Sequence, residues 1–177
     1  MPARLALLRG VNVSGANKLP MAEFRALLTG LGLHRVETYI QNGNAVFDSD
    51  LAAQDLARVI SDGIGAAFGF APAVLVLDAT ELSDALNDHP FTGAAPEKVH
   101  VFFLQTAPDA LDEDALRRLA APGDGWHLSG RRFTLHTPGG VGASRLAAKL
   151  PSLLPVPMTA RNLRTVAALC TMVAARG

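Results

Sequence analysis

Polar residues that could bind a ligand lie in two short stretches near the start of the chain. Arg9 and Asn12 follow an apolar run, and Gln41 and Asn44 flank an Asn-Gly pair. They supply a cation and several amide donors and acceptors, and the glycines beside them let a backbone approach a ligand. Lys18 could contact an anion from the same loop as Asn12, or simply be solvated. The alternative for the whole group is a turn-rich sheet edge where Asn and Gly only satisfy the loop backbone.

Two later stretches combine a helix start with an arginine. A glycine-rich segment leads through Ser144 and Arg145 into a helical pattern, and Thr159, Arg161 and Asn162 precede the next one. Free backbone amides at a helix N-terminus, together with a cation, suit a carboxylate or a phosphate. Each stretch alone also fits ordinary helix capping. Their succession strengthens the case for an anion site.

The residues do not support a P-loop, a metal site or a catalytic cysteine. Gly10 and Gly15 have the spacing that begins a P-loop, but Ala16 and Asn17 stand where phosphate binding needs Lys and then Ser or Thr. The five histidines lack metal-ligand spacing, so we expect no metal site and no cofactor. Cys170 falls in an apolar helical stripe, which favours a buried, inert thiol over a catalytic one.

The composition indicates a globular protein whose net charge is zero and produces no long-range electrostatic field. The chain has 177 residues, 49% of them hydrophobic, enough for one sizeable core or two small ones. Lys plus Arg (16) balances Asp plus Glu (16), so nothing attracts nucleic acid or anionic lipid over a long range. The first apolar run is too short for a signal peptide, and no stretch reaches the ~18 residues of a membrane helix. We therefore expect a cytoplasmic protein with no membrane partner.

The first half of the chain predicts the order β-α-β-β-α-β. Apolar periodicity places its elements at strand 3–9, a helix from Pro20 ended by Gly30 and Gly32, strands 36–41 and 44–48, helix 51–68 and strand 73–77. Asn42-Gly43 is the strongest two-residue hairpin signal, because both turn residues must accept positive φ. This order is that of the split β-α-β, ferredoxin-like unit.

A similar series follows a connecting helix for which Thr80 is the expected N-cap. It comprises strand 98–104, helix 109–119 with an acidic start that favours the helix dipole, strands 125–128 and 131–136 around Ser129-Gly130, helix 143–150 and helix 161–175. The outer face of that second hairpin, formed by His127, Arg132, Thr134 and His136, is expected to be solvated. Prolines at 151, 155 and 157 leave an eighth strand open. We predict an α+β fold of two tandem ferredoxin-like subdomains, 1–78 and 97–177, joined by residues 79–96, the second carrying a C-terminal helix.

The ferredoxin-like topology predicts that the first two polar stretches meet. The third strand lies antiparallel between the first two, so its hairpin reaches the sheet edge at which the first strand ends. Arg9 and Asn12 would then stand near Gln41 and Asn44. The sequence thus predicts a polar site at this edge.

Four segments carry a family resemblance: LLRGVNV at 7–13, TYIQNGN at 38–44, GVGASRL at 140–146 and TARNLRT at 159–165. Together they resemble a bacterial family catalogued as domain of unknown function number 1697, over nearly the whole chain. The resemblance implies tandem ferredoxin-like subdomains, in agreement with the element order. It implies no activity.

The motif positions most characteristic of that family are nearly all polar: Arg9, Asn12, Gln41, Asn44, Ser144, Thr159, Arg161, Asn162 and Thr165. Polar residues at loops and helix starts are better explained by a shared binding site than by packing, which selects apolar residues. The family pattern usually has Ser where Asn42 stands and Lys where Arg145 stands. The first departure weakens any nucleophilic serine, and the second keeps the charge but changes the donor geometry.

These observations lead to one hypothesis and two alternatives. The hypothesis is a pocket between the subdomains that binds a small anionic metabolite, phosphorylated or not, through Arg9, Arg161 and the helix start at Arg145, with catalysis left open. The first alternative is an RNA-binding module. Two observations disfavour it: the first strand has no aromatic residue to stack a base, and the net charge is zero. The second is a regulatory or interaction module that forms a homodimer through exposed sheet edges.

Overall fold

The computed structural model describes residues 1–177 and confirms the α+β fold. The first sheet-and-helix series contains β1 (Ala3–Leu8), α1 (Met21–Gly30), β2 (His34–Tyr39), β3 (Asn44–Asp48), α2 (Ala53–Phe68) and β4 (Val74–Asp78). Its four strands form one sheet in the order β2-β3-β1-β4, with every neighbouring pair antiparallel. This is the strand order of a ferredoxin-like unit, as the element order predicts.

The second series repeats this topology. After α3 (Ala79–Asn87) it contains β5 (Val99–Leu104), α4 (Glu113–Leu119), β6 (Gly125–Ser129), β7 (Arg132–His136), α5 (Arg145–Leu153), β8 (Met158–Asn162) and α6 (Leu163–Ala174). The sheet order is β6-β7-β5-β8. The eighth strand therefore forms, pairing with β5 alone. Because it begins after Pro157 and lies at the sheet edge, the prolines before it remove no ladder hydrogen bond. The last helix accordingly begins at Leu163 rather than at 161.

Each sheet packs its helices over a separate apolar core. In the first core, α2 contributes Leu56, Ile60 and Ile64, spaced four residues apart and fully buried. Phe24 and Leu28 of α1 meet them on the same side of the sheet. Each such side chain contributes roughly 1.5 to 3 kcal/mol when fully buried. The second core is built in the same way from β5, β7, α4 and α5.

The residues group by contacts into two compact units. The first comprises Met1–Ser83 together with Leu169–Gly177, and the second comprises Asp84–Ala168. The last part of α6 is thus grouped with the first unit, whereas the sequence assigned the whole helix to the second half. The subdomain boundaries at 78 and 97 stay a prediction. No helix is long and apolar enough to cross a membrane.

The hairpin turns differ from the expected ones in register. Tyr39 pairs with Asn44, so β2 and β3 are joined by four residues, 40–43, and not by Asn42-Gly43 alone. In the second unit Ser129 pairs with Arg132, which moves the two-residue turn to positions 130 and 131. Both predicted hairpins exist; the first turn contains Asn42-Gly43 but is two residues longer than predicted, and the second is shifted by one residue.

The outer face of the β6-β7 hairpin is not the solvated surface that the sequence predicts. Thr134 is buried. The ring centroids of Phe91 and His136 are 5.5 Å apart. Arg132 Nη2 donates to Asp88 Oδ2 at 2.6 Å. The segment after α3 therefore covers this face, a tertiary contact that alternation of residue types does not reveal.

Helix α3 begins with a capping box at Asp78, not with Thr80 as N-cap. The Glu81 N–H donates to Asp78 Oδ1 at 2.8 Å, and the Asp78 N–H donates to Glu81 Oε2 at 3.0 Å. This reciprocal pair satisfies two amides that the helix start leaves free.

Asp78→Ala is expected to lower the free energy of unfolding by about 1 kcal/mol, because it removes the acceptor of an N-terminal amide. Thr80→Ala is the control, since Thr80 is exposed and caps nothing. Urea denaturation of both variants and wild type measures the difference. Equal losses in the two variants would show that the cap is not the stabilising contact.

Candidate functional site

Asn12 joins the two loops that the topology brings together. Its Oδ1 accepts from the Leu19 N–H at 2.8 Å, and its Nδ2 donates to the carbonyls of Leu19 at 2.9 Å and Gln41 at 2.6 Å. The β1-α1 loop is thereby closed on itself and fastened to the β2-β3 turn. Because both polar atoms are engaged, Asn12 positions the site's backbone rather than offering free groups to a ligand.

A groove lies beside this junction, at the start of α1. Its volume is about 470 Å³, and its lining residues are Asn12, Lys18, Leu19, Pro20, Met21, Ala22 and Gln41. Lys18 and Gln41 are exposed, and the Lys18 ammonium makes no hydrogen bond or ion pair within the protein. Two of the site residues predicted from sequence, Asn12 and Gln41, therefore line one cavity.

No side chain caps the start of α1. The residue before the helix is Pro20, which offers no side-chain acceptor, so the first-turn amides have no partner within the protein. In contrast, α4, α5 and the first turn of α6 are capped by Asp112, Ser144 and Asn162. The start of α2, at Ala52, is also uncapped, but only the start of α1 lines the groove.

Left-handed backbone is concentrated around the groove. Asn12, Ser14 and Asn17 have φ of 55°, 52° and 51°, and Ile40, beside Gln41, has 47°. This conformation is costly for a β-branched residue such as Ile40. Strain of this kind persists where the surroundings enforce it, and it clusters at ligand sites.

Gly43 and Asn44 hold the β2-β3 turn against the end of β1. The Leu8 N–H donates to the Gly43 carbonyl at 2.9 Å. Asn44 is fully buried, and its Nδ2 donates to the Tyr39 carbonyl at 3.0 Å and to Asn42 Oδ1. Asn44, a predicted site residue, thus closes the turn that carries Gln41.

Arg9 lies just after β1 and is not among the residues that line the groove. Its backbone N–H donates to the Ala73 carbonyl at 3.0 Å. The side chain is exposed, and the guanidinium makes no hydrogen bond or ion pair. It remains a free cation at the same end of the first sheet.

In the second unit, Ser144 and Asn162 act as helix caps. Ser144 Oγ accepts from the Ala147 N–H at 3.0 Å, and Asn162 Oδ1 accepts from the Thr165 N–H at 2.9 Å. Arg145 begins α5 with an exposed side chain. The capping interpretation of these two stretches therefore accounts for Ser144 and Asn162 and leaves Arg145 available.

Arg161 is buried within the second unit, with 6% of its surface exposed. Its Nη1 donates to Thr159 Oγ1 and to the Ala160 carbonyl, both at 2.8 Å. Burial lowers the pKa of Arg161 to about 10, since desolvation penalises the charged form. At neutral pH the guanidinium is still protonated. That Arg161 and Arg9 serve one pocket stays a prediction.

The thiol of Cys170 has the surroundings of an unreactive cysteine. Its Sγ lies 3.6 Å from the Leu82 carbonyl oxygen, and burial raises the pKa of the thiol. A thiolate nucleophile is disfavoured there, because reactive cysteines need a lowered pKa.

Sequence reasoning considered Lys18 as an anion contact, but it missed the uncapped start of α1. The sequence did place a proline before the helix and a lysine in the loop. A proline N-cap without Ser, Thr, Asp or Asn beside it is the signal that could have indicated uncapped amides. The groove itself needs the folded loop and has no local signature.

Two four-stranded β-α-β-β-α-β units define a tandem ferredoxin-like α+β protein. Residues 1–133 match the family described as "Protein of unknown function (DUF1697)", and the chain belongs to this family. It is similar in structure to the conserved bacterial protein SP0830 from Streptococcus pneumoniae, with a TM-score of 0.74 and 24% identity over 97% of this chain and 98% of that one. At this identity the likeness concerns the fold alone. No curated protein matches the chain.

Proposed function

We propose that the groove at the start of α1 binds a small anionic metabolite. The observation that supports this most is the convergence of Lys18 and Gln41 on a helix start that no side chain caps. The N-terminus of a helix carries about half a positive charge, and its free amides point along the axis toward a ligand. A carboxylate or phosphate would satisfy those amides and pair with the Lys18 ammonium.

The lining chemistry limits the class of ligand. No carboxylate lines the groove, so it offers nothing to a metal cation or an amine. Leu19, Pro20 and Met21 supply an apolar wall, which suits the carbon skeleton of a metabolite better than a bare ion. A volume of about 470 Å³ lies in the range of small-molecule sites. The proposal is therefore a small organic carboxylate or phosphate ester, with no catalytic step assigned.

Thermal unfolding against a panel of carboxylates, sugar phosphates and nucleotides tests the proposal. A ligand present at ~100 times its dissociation constant stabilises by about 2.7 kcal/mol, which raises the melting temperature by roughly 5 to 10 °C for a chain of this size. Lys18→Ala is expected to weaken binding about tenfold or more, because it removes a charge-assisted hydrogen bond.

Lys149→Ala is the matched control, since Lys149 is exposed on α5 and its side chain makes no hydrogen bond or ion pair. A shift that both lysine variants retain would contradict the proposed site. Absence of a shift with every anion, or a shift with single-stranded RNA that declines steeply with salt, would replace the proposal with another function.

Two further variants test the other site residues predicted from sequence. Arg9→Ala tests whether the exposed guanidinium after β1 contributes to the same ligand. Arg145→Ala does the same for the second unit, where the cation at the start of α5 is also exposed. Loss of affinity in both would support the larger site predicted from sequence, and loss in Arg9→Ala alone would confine the site to the first unit.

A further inference from the structure

A β-bulge interrupts the pairing of β2 with β3. The register shifts between His34 and Glu37, and Arg35 within the bulge has φ of 47°, a left-handed conformation uncommon for a residue with a side chain. A bulge leaves some backbone carbonyls without their ladder partners, and a buried carbonyl of this kind needs a hydrogen-bond donor from elsewhere in the chain.

The donors come from Arg176, which follows α6. Its Nη2 donates to the carbonyls of Arg35 and Val46 and, at 2.6 Å, to Glu37 Oε1. Its Nη1 donates to Asp48 Oδ1 at 3.0 Å. One guanidinium thus meets two backbone carbonyls and two carboxylates, a set of acceptors from both strands of the hairpin.

The site is charge-balanced and largely closed to solvent. The side chains of Arg176 and Asp48 are 5% and 6% exposed, whereas those of Arg35 and Glu37 are each 59% exposed. Arg35 Nε binds the second oxygen of Asp48, and Arg35 Nη2 lies 3.5 Å from the carbonyl oxygen of Arg176. The cluster therefore contacts the side chain and the backbone of the arginine that it holds.

We propose that the bulge of β2 forms an arginine-binding site, which Arg176 occupies as an intramolecular ligand. The acceptors favour a guanidinium, because Nη2 bonds to both carbonyls and to Glu37 while a second nitrogen, Nη1, bonds to Asp48, whereas an ammonium has a single nitrogen. The site lies in the β2-β3 hairpin and is independent of the anion groove. Its ligand class is a guanidinium borne by an arginine residue, and the segment after α6 fills it at high effective concentration.

Chemical rescue of Arg176→Ala tests this assignment. Ethylguanidinium consists of the atoms that alanine lacks beyond Cβ, so it should enter the vacated site and stabilise the variant. At five times its dissociation constant it is expected to raise the melting temperature by about 2 to 4 °C, in a saturable manner. Wild type should show no saturable rise, since its own side chain holds the site.

Ethylammonium at equal concentration is the ligand control, and Arg164→Ala is the matched protein control because Arg164 forms an exposed pair with Glu97. Neither is expected to give a saturable rise. Adding Glu37→Gln to Arg176→Ala should weaken the rescue, since it removes one anionic acceptor. A response to ethylguanidinium no larger than that of wild type or of Arg164→Ala, or an equal response to ethylammonium, would overturn the proposal.

If Arg176→Ala does not fold, hydrogen exchange of the single variant Glu37→Ala, which removes the side-chain acceptor, provides the second test. The exposed Glu37 side chain can be changed without opening a core, so this variant should fold. Release of Arg176 should speed exchange of the Ala175 amide, which is bonded to the Thr171 carbonyl at 3.1 Å. Exchange as slow as in wild type would show that Glu37 does not hold the arginine, contrary to the proposal.

Discussion

Replacing Gly43 with alanine is expected to lower the free energy of unfolding by about 3 kcal/mol. The residue has φ of +85°, and an added side chain in this region costs about 1 to 2 kcal/mol. The new Cβ would stand 2.7 Å from Leu8 Cβ and 2.8 Å from Val11 Cγ2. Both of those side chains are buried and cannot move aside freely, and overpacking of this kind costs a further 1 to 3 kcal/mol or so.

Gly15→Ala separates the two contributions. Gly15 has φ of +75°, and nothing lies within 4 Å of the position its Cβ would take. The Gly15→Ala variant should therefore lose only the backbone contribution to the free energy of unfolding, about 1 kcal/mol. Guanidinium chloride denaturation of both variants gives the comparison. A loss in Gly15→Ala as large as that in Gly43→Ala would mean that close packing of the β2-β3 turn on β1 is not the cause.

The element order could be predicted from sequence because its signals are local and periodic. Leu56, Ile60 and Ile64 repeat at helical spacing, and the structure buries all three. Strand β3 is fully buried from Asn44 to Asp48, the bounds that the sequence indicates. Such patterns need no knowledge of the rest of the chain, which is why the ferredoxin-like order emerges in both halves.

Turn geometry and β8 depended on contacts remote in sequence. The Asn-Gly pair indicates a two-residue turn locally, but Gly43 packs on Leu8 of β1, a remote contact that accompanies the longer turn. Three prolines argue locally against an eighth strand. Pairing with β5 supplies the hydrogen bonds that make an edge strand stable there.

Only the part of the candidate site that follows from strand order could be predicted from sequence. Strand order placed Asn12 near Gln41, and the structure joins them by a hydrogen bond. The groove around Lys18 depends on how one irregular loop folds back, which no periodicity encodes. The site of Arg176 is less accessible still, since its partner Asp48 is 128 residues away and neither residue belongs to a motif.

Arg176→Ala is expected to lower the free energy of unfolding by about 3 kcal/mol at pH 7, because removing one partner leaves the buried Asp48 carboxylate incompletely paired. Arg164→Ala is the matched control. Its pair with Glu97 has side chains 67% and 46% exposed, and exposed pairs contribute about 0 to 1 kcal/mol. Denaturant unfolding of both variants measures the contrast, and equal small losses would show that Arg176 does not stabilise the hairpin.

The stabilising effect of Arg176 should depend on pH in a defined direction. Burial of Asp48 raises its pKa, but hydrogen bonds from Arg35 and Arg176 outweigh this, so the pKa lies below the ordinary value of 3.8. A carboxyl with a lowered pKa in the folded state contributes stability that is present above 3.8 and is lost as pH falls through the lowered value. In Arg176→Ala the pKa of Asp48 should rise toward its ordinary value, so the variant loses less stability than wild type as pH falls. The difference in unfolding free energy between the two is therefore expected to narrow below about pH 4. A difference that stayed constant from pH 7 to pH 3 would indicate that Arg176 acts through packing and not through the Asp48 carboxylate.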